Sequence, residues 1–417
     1  MSQFILTLGV ISLFMNWYVF QGIKRLTADW RSKQARLAVH LVYWLFFIGL
    51  IAGFAYSIYI RFTLDQATPF IQWFINAFLT FFVTQLVFIL VLFAEDIYRA
   101  IVALIRFSGK SRKKPKQEPL VPERRKFVSQ AALLLASIPF ASFLYGVTRG
   151  KYDYTVHRHT LYFDDLPEAF DGFTITQISD VHAGSFDDPE AVRRGIELIK
   201  AQQSDLFVFT GDLVNDHAEE IVPYMEVFSQ IKAPYGQYSI LGNHDYGLYA
   251  DWATEAEQEE NLEMLKQHQA EMGWRLLLDE NVIIEKGGQK LALVGVENWG
   301  EGFIKEGDLG KALQGVEEDA FKVLLSHDPS HWESVVKEYP APVHLTLSGH
   351  THGMQFGIET PLVRWSPAKY RYENWAGLAE AKERLLYVNR GFGFLGFSGR
   401  VGIWPEITVL ELRKRSA

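Results

Sequence analysis

A chain of 417 residues has room for more than one domain, and its 48% hydrophobic residues are spread unevenly, which points to a membrane part and a globular part. A net charge of −8 offers no basic surface of the kind nucleic acid requires, so nucleic acid is not expected as a partner. Cysteine is absent, so no disulfide framework reports the compartment and the fold must be stabilised by its core alone.

Four apolar stretches occupy the N-terminal third. Residues 4–20 are barely long enough to cross a bilayer, whereas 37–60 and 70–94 exceed the roughly 18 residues that mark a transmembrane helix. A fourth stretch, 127–147, has Pro139 inside it. The expected organisation is a transmembrane helical region of three spans over 1–107, a basic cytoplasmic linker over 108–126, and a fourth transmembrane or signal-anchor helix over 127–150. Trp17, Tyr18, Trp44, Tyr59, Trp73 and Tyr145 sit near the ends of these stretches, as interfacial aromatic residues do.

Charge then sets orientation. Lys24, Arg25, Arg31, Lys33 and Arg36 follow the first stretch, and nine Lys or Arg residues between Arg106 and Lys126 follow the third. The short loop after the second has only Arg61 and Asp65. The positive-inside rule makes both basic loops cytoplasmic. After a fourth crossing, the rest of the chain lies on the extracytoplasmic side of a bacterial inner membrane. If 127–147 merely lies on the membrane, that part stays inside. The run Glu123-Arg124-Arg125-Lys126-Phe127 ahead of an apolar stretch also looks like a twin-arginine export signal placed internally.

From about residue 151 the pattern changes to short β-rich runs, at 173–179, 206–210, 237–241, 321–326 and 343–348, separated by helical stretches at 189–202, 219–231 and 255–269. Residues 282–296 read as a hairpin turning at Gly287-Gly288. Each of the five runs ends at a chemical motif: Asp180-Val181-His182, Gly211-Asp212, Gly242-Asn243-His244-Asp245, Ser326-His327, and Gly349-His350-Thr351-His352. Ligands at the ends of several buried strands converge on one rim of a sheet, where open α/β sheets bind their ligands. The carboxylates, imidazoles and single amide suit two divalent cations such as Mn, Zn or Fe. Asp212 can bridge because it has two oxygens, and Asn243 can ligate without adding charge that repels a phosphate. Two such cations can bind a hydroxide between them and clamp the phosphoryl oxygens of an in-line displacement, so the chemistry points to hydrolysis of phosphate esters. Gly211, Gly242 and Gly349 are expected to let the backbone turn beside the metals.

In that order and completeness the motifs resemble the calcineurin-like metallophosphoesterase superfamily, from about Tyr154 to the C-terminus. The resemblance implies a four-layer αββα sandwich, preceded here by the helical membrane region, over a domain of 151–417. It also implies that Asp180, His182 and His352 hold one metal and Asn243, His327 and His350 the other, with Asp212 between them. His244 would act as general acid or as a donor to the phosphoryl oxygen. Asp245 would orient His244 by accepting its hydrogen bond. Asn215 stands where many relatives carry Asp. His217 and His331 read as neighbours of the site or as capping residues.

The C-terminal stretch 386–412, a strand, a Gly/Phe-rich loop and a final strand, is similar to the bacterial, membrane-tethered YkuE-like branch. Arg390 and Arg400 are candidates for contact with the phosphate or an acidic head group. Phe392, Phe394, Leu395 and Phe397 either pack on the core or form a lipid-facing lip. The expected substrate is a phosphate or pyrophosphate ester, lipid-linked because the site is tethered to a bilayer. One alternative is a hydrolase resembling the UDP-diacylglucosamine pyrophosphatases of lipid A synthesis, with a cytoplasmic site. Another is a non-catalytic membrane sensor or scaffold.

Overall fold

The computed structural model describes residues 2–64, 69–108 and 122–415, which fall into two compact units, Met1–Tyr145 and Gly146–Ala417. Asp65 and the middle of the basic linker, including Lys110, Arg112, Lys113, Lys114 and Lys116, lie outside the described residues.

The first unit consists of helices: α1 (Ser2–Leu26), α2 (Lys33–Leu64), α3 (Pro69–Ser108) and α4 (Pro122–Thr148), the last reaching into the second unit. Among the described residues three segments are long and apolar enough to span a membrane: Lys33–Ile60, Phe70–Ile105 and Lys126–Thr148. The stretch expected as the first span lies in α1 and is not one of them. α1 carries the buried polar residues Ser12 and Asn16, and Asn16 Oδ1 accepts from Gln85 Nε2 of α3 (2.8 Å) and from the Tyr43 hydroxyl of α2 (3.0 Å). Pro139 does not break α4, which runs as one helix of 27 residues. Leu45, Leu104 and Leu134 of this unit are exposed, as side chains facing lipid would be.

The second unit begins with β1 (Thr155–Phe163) and β2 (Phe173–Ile178). It continues through α5 (Pro189–Lys200), β3 (Leu206–Thr210), α6 (Met225–Phe228), β4 (Gln237–Ile240), α7 (Glu255–Glu271) and β5 (Arg275–Leu276). The expected hairpin follows as β6 (Glu280–Lys286) and β7 (Gln289–Gly295), then α8 (Leu309–Ala312), β8 (Phe321–Leu325), α9 (Pro329–Ser334) and β9 (Leu345–Ser348). A small hairpin, β10 (Ile358–Glu359) and β11 (Arg364–Trp365), precedes β12 (Gly377–Ala381), β13 (Arg384–Val388) and β14 (Glu406–Lys414).

These strands form two six-stranded mixed sheets, ordered β1-β14-β2-β3-β4-β5 and β12-β13-β9-β8-β7-β6. The sheets pack face to face: Phe173, Ile175, Leu206 and Val208 of the first share one buried core with Leu293, Val323, Leu345 and Leu347 of the second. The outer face of the first sheet buries Phe207 and Phe209 against Val192 and Ile196 of α5 and Leu265 of α7. The outer face of the second buries Leu324 and Leu386 against Leu309 of α8 and Trp332 of α9. The four layers αββα are therefore present, with alternating strand residues feeding a central and an outer core.

Local chemistry fixes the helices. Asp188 caps α5 by accepting from Ala191 N, with Pro189 at the first helical position, and Thr254 caps α7 by accepting from Glu257 N. The helix expected over 219–231 instead starts as a 3-10 helix, Ala218–Tyr224, before α6. Pro223 sits inside it and has no amide to give an α-helical ladder. β2, β3 and β4 run parallel in one sheet, and β8 and β9 run parallel in the other, so their C-terminal ends deliver all five motifs to one rim.

Candidate metal centre

Two donor groups form on this rim: Asp180 with His182 and His352, and Asp212 with His327 and His350, the ligand atoms of each group lying within 4.8 Å of one another. Asp180 and His182 leave the end of β2, Asp212 the end of β3, His327 the end of β8, and His350 and His352 the end of β9. The chain must turn at once to aim them. Asp180, His182, Asp212, His350 and His352 all take positive φ, between 47° and 69°. Left-handed backbone is costly for residues with a side chain, and its concentration here marks a site that the surrounding fold holds in place.

Glycine serves two purposes. Gly211 takes φ of 92° and makes the turn itself. Gly242 and Gly349 are needed for space: a Cβ on Gly349 would lie 1.9 Å from Ser179 Oγ, and one on Gly242 2.2 Å from Asp212 Oδ1.

Asp212 joins the two groups through one oxygen. Its Oδ2 lies 3.1 Å from His327 Nε2 and 3.6 Å from His182 Nε2, while Oδ1 accepts from His244 N at 2.9 Å. In the first group His182 Nε2 and His352 Nε2 face each other at 3.0 Å, and Asp180 Oδ1 is 3.3 Å from His352 Nε2. In the second, His350 Nδ1 is 3.3 Å from His327 Nε2. The His350 backbone amide reaches across the two sheets to both oxygens of Asp180, at 2.9 and 3.0 Å. Asn243 joins through its amide. Its Nδ2 donates to the Tyr249 hydroxyl at 2.9 Å, whereas its buried Oδ1 has no hydrogen-bond partner. A buried acceptor without a donor is rare. A cation would complete it.

The electrostatics fit the same reading. Burial alone would raise the Asp212 carboxyl, but the His327 and His244 imidazoles beside it reverse this and hold it well below the usual range. Burial would depress His327, and Asp212 instead lifts it to about 10. Burial also lowers His182 and His350. Carboxylates that keep their charge and imidazoles that shed protons, as His182 and His350 do, suit divalent cations, whereas His327 holds its proton against Asp212 and must release it for a cation to bind. Donor types, convergence and the unpartnered amide oxygen thus fit two divalent metals.

Residues behind the donors orient them. His327 Nδ1 donates to the Thr210 carbonyl at 2.7 Å, which leaves Nε2 for a cation. His350 Nε2 is met by Asp328 Oδ2 at 3.3 Å and the Tyr372 hydroxyl at 2.8 Å. Neither Asp328 nor Tyr372 was expected. Asp328 reads as an ordinary helix cap, and its Oδ1 does accept from Ser330 N at the start of α9. Only the fold brings its second oxygen to His350. A cleft of about 210 Å³ opens above the donors, bounded also by His244, Phe303, Met354, Arg371 and Leu395. Arg371 is exposed, with its guanidinium 4.9 Å from the Phe303 ring, and no carboxylate pairs with it among the described residues.

Several expectations require correction. Asp245 does not hold His244. Its carboxylate accepts from the amides of Asp212 (2.9 Å), Leu213 (2.7 Å), Val214 (3.3 Å) and Gly242 (2.8 Å), so it fastens the β3 turn to the β4 turn. Burial and the charge of Asp212 push its carboxyl up to about 7, and the amides pull the other way by favouring the ionised form. His244 is held by the Asn215 carbonyl, 2.7 Å from Nδ1. Arg390 cannot reach a substrate: it is buried and paired with Glu406 (2.5 Å) and Glu359 (2.5 Å). Arg400 is also buried. It donates to the carbonyls of Gly391 (3.1 Å) and Gly393 (2.6 Å) and backs His352 Nδ1 at 3.3 Å. Of the two readings offered for the C-terminal Phe-rich loop, packing on the core holds for Phe392 and Phe394, which are fully buried, while Leu395 and Phe397 are half-buried and Leu395 bounds the cleft. His331 is buried, bonded to Ser326 Oγ at 2.8 Å and stacked on Trp299, and burial lowers it to about 4. His217 lies beside Trp252, and its amide donates to Glu220 at the start of the 3-10 helix.

Residues 173–354 match the family model of calcineurin-like phosphoesterases, and residues 1–151 match a model described as "Probable Calcineurin-like phosphoesterase, transmembrane domain". The chain belongs to the calcineurin-like phosphoesterases: a membrane protein whose second unit is a metal-dependent phosphoesterase using two divalent cations. It is similar to the uncharacterized metallophosphoesterase YkuE of Bacillus subtilis, with 28% identity over 61% of this chain and 84% of that protein. It is similar also to YkoQ of the same organism, with 27% identity over 67% of this chain and 98% of that protein. The transmembrane protein with metallophosphoesterase domain of Danio rerio is 26% identical over 60% of this chain, which spans 55% of that protein.

Proposed function

We propose that the protein is a membrane-anchored dinuclear phosphoesterase that hydrolyses lipid-linked phosphate or pyrophosphate esters. The observation that carries the dinuclear reading is the single Asp212 oxygen facing His327 of one donor group and His182 of the other, at 3.1 and 3.6 Å. When bound, the two cations would supply electrophilic charge for the phosphoryl oxygens and make a water acidic enough to yield hydroxide, the nucleophile, at neutral pH.

The chain's own groups do the rest. Asp180, His182 and His352 would hold one cation and Asn243, His327 and His350 the other, with Asp212 shared between the two groups. Asp328 and Tyr372 engage His350 Nε2, which leaves Nδ1, facing His327 Nε2, as the nitrogen that would ligate. His244 stands at the cleft with Nδ1 donating to the Asn215 carbonyl, which leaves Nε2 to carry a proton toward the leaving oxygen. Arg371, cationic and unpaired at the cleft, meets the charge of the bound phosphate.

The lipid-linked substrate class is supported by the tether to a bilayer. Basic loops on the cytoplasmic side of α2 and α3 favour an extracytoplasmic site, whether or not α1 crosses. Lys24–Arg36 precedes α2 and the linker follows α3, so only the crossing by α4 decides. The test is a hydrolysis screen of the purified, metal-loaded chain against lipid pyrophosphates, phosphomonoesters and phosphodiesters. Turnover confined to water-soluble esters would overturn the lipid assignment.

A further inference from the structure

Among the large apolar side chains left exposed on the second unit, which also include Tyr162, Val222 and Tyr249, five fall within one stretch of seventeen residues: Met354, Ile358, Leu362, Val363 and Tyr370, with Leu362 95% and Tyr370 76% exposed. Met354 also bounds the metal cleft, so this stretch of chain begins at the site. Ile358, Leu362 and Val363 belong to the β10–β11 hairpin, which is joined to neither large sheet. Its tip turns over Thr360–Val363, with Thr360 N donating to the Val363 carbonyl at 2.9 Å and Val363 N to Thr360 Oγ1 at 3.0 Å.

The hairpin is rigidly mounted. Ile358 pairs with Trp365 and Glu359 with Arg364, while Arg390 grips Glu359 from below at 2.5 Å. Arg364 pairs with Glu359 and stacks on Trp375 at 4.9 Å, and Gly357 N donates to the Val401 carbonyl at 2.9 Å. Such a base holds an apolar tip out in water, a costly arrangement unless something covers it. Two exposed cations follow it closely in the chain, Lys369 against Tyr370 and Arg371 against Phe303 at the cleft, and neither has a carboxylate partner among the described residues. Apolar and aromatic residues flanked by unpaired Lys and Arg are the composition of surfaces that enter the head-group boundary of anionic bilayers. Because the same chain carries membrane spans, a bilayer is always at high effective concentration.

We infer that the Ile358–Trp365 hairpin is a lipid-docking finger: Leu362 and Val363 enter the acyl boundary and Lys369 meets anionic head groups, while Arg371 at the cleft receives the phosphate of the lipid substrate. The finger holds the cleft, which Met354 bounds, close to the lipid phosphates. This rests in part on the proposed lipid-linked substrate, and its first test needs no activity.

The chain has no natural cysteine, so Leu362→Cys can be labelled alone with a polarity-sensitive dye, with Tyr162→Cys, exposed on β1, as control. The full chain is reconstituted in vesicles of phosphatidylcholine with a minority of phosphatidylglycerol. The dye at 362 is expected to be quenched by spin-labelled lipid and shielded from iodide, and the dye at 162 the reverse. Iodide quenching at 362 equal to that at 162 overturns the inference. Shielding from iodide without lipid quenching also overturns it, in favour of a second copy or another protein on the finger. Where a lipid substrate is in hand, Leu362→Asp with Val363→Asp should cut its hydrolysis by about tenfold or more while sparing a soluble nitrophenyl ester. An equal loss on both substrates would contradict docking.

Discussion

His244 Nδ1 lies 2.7 Å from the backbone carbonyl of Asn215, so this imidazole is aimed by main chain and not by the carboxylate that follows it in sequence. A carbonyl only accepts, so Nδ1 holds its proton, and Nε2 is the nitrogen that exchanges one with a leaving group.

His244→Ala should therefore keep both cations and slow turnover by roughly 10²–10⁴-fold. The loss should shrink on esters with good leaving groups, which need little protonation. Parallel assays on nitrophenyl and alkyl esters check this. Equal losses on the two would remove the acid role and leave His244 as an oxygen donor.

Asn215→Ala should spare activity, since the contact it makes with His244 uses its carbonyl and not its side chain. Asp245→Ala should not. It leaves four buried amides without an acceptor, each at about 1–3 kcal/mol, in the turns that carry Asp212 and Asn243. We expect a lower unfolding temperature together with reduced metal content, read by thermal melting and metal analysis of the same sample. A stable Asp245→Ala protein with full metal content would mean that the turns are held by something else.

The sequence made the strands and their terminal motifs readable, because apolar β-rich runs ending in ligand residues have a short period and an immediate stop. Residues 173–178, 206–210 and 321–325 form as expected, and the Gly287-Gly288 hairpin turns where its glycines permit positive φ. What was not readable depends on pairings far apart in the chain. Arg390 looked like a phosphate binder until Glu406 and Glu359 were placed beside it. Asp328, Arg371 and Tyr372 belong to no motif. Sequence left Phe392–Phe397 between core packing and a lip, and Phe392 and Phe394 pack inward, while the exposed apolar tip formed at Leu362, which belongs to no motif. In the helical unit, length and apolarity identified α2, α3 and α4, and Asn16 turned α1 toward Tyr43 and Gln85.

Arg371→Ala should raise KM by about tenfold with little change in kcat or metal content, because a cation that meets the phosphate in ground and transition state alike contributes uniform binding. Arg371→Lys should restore part of the loss. Arg390→Ala, in contrast, should lower stability by leaving Glu406 buried and uncompensated. Steady-state kinetics beside thermal melting separates the two arginines. A kinetic defect in Arg390→Ala without a stability defect would reverse their assignment.

The orientation of the catalytic unit can be read with a reporter fused after Ala417. It should be active on the extracytoplasmic side, and neutralising Arg112, Lys113, Lys114, Lys116, Arg124, Arg125 and Lys126 should disturb that placement. Activity only in the cytoplasm would mean that α4 does not cross, and a nucleotide-linked lipid would then be the better substrate.

The central claim is one pair of cations shared through Asp212, and the most direct measurement is metal content per chain, taken with hydrolysis, for the purified wild type and for Asp212→Asn. The account predicts about two divalent ions per wild-type chain, with activity lost on chelation and regained on adding metal, and fewer ions with far slower turnover in Asp212→Asn. Full metal content and normal hydrolysis in Asp212→Asn, or wild-type hydrolysis untouched by a chelator that strips both ions, would contradict it.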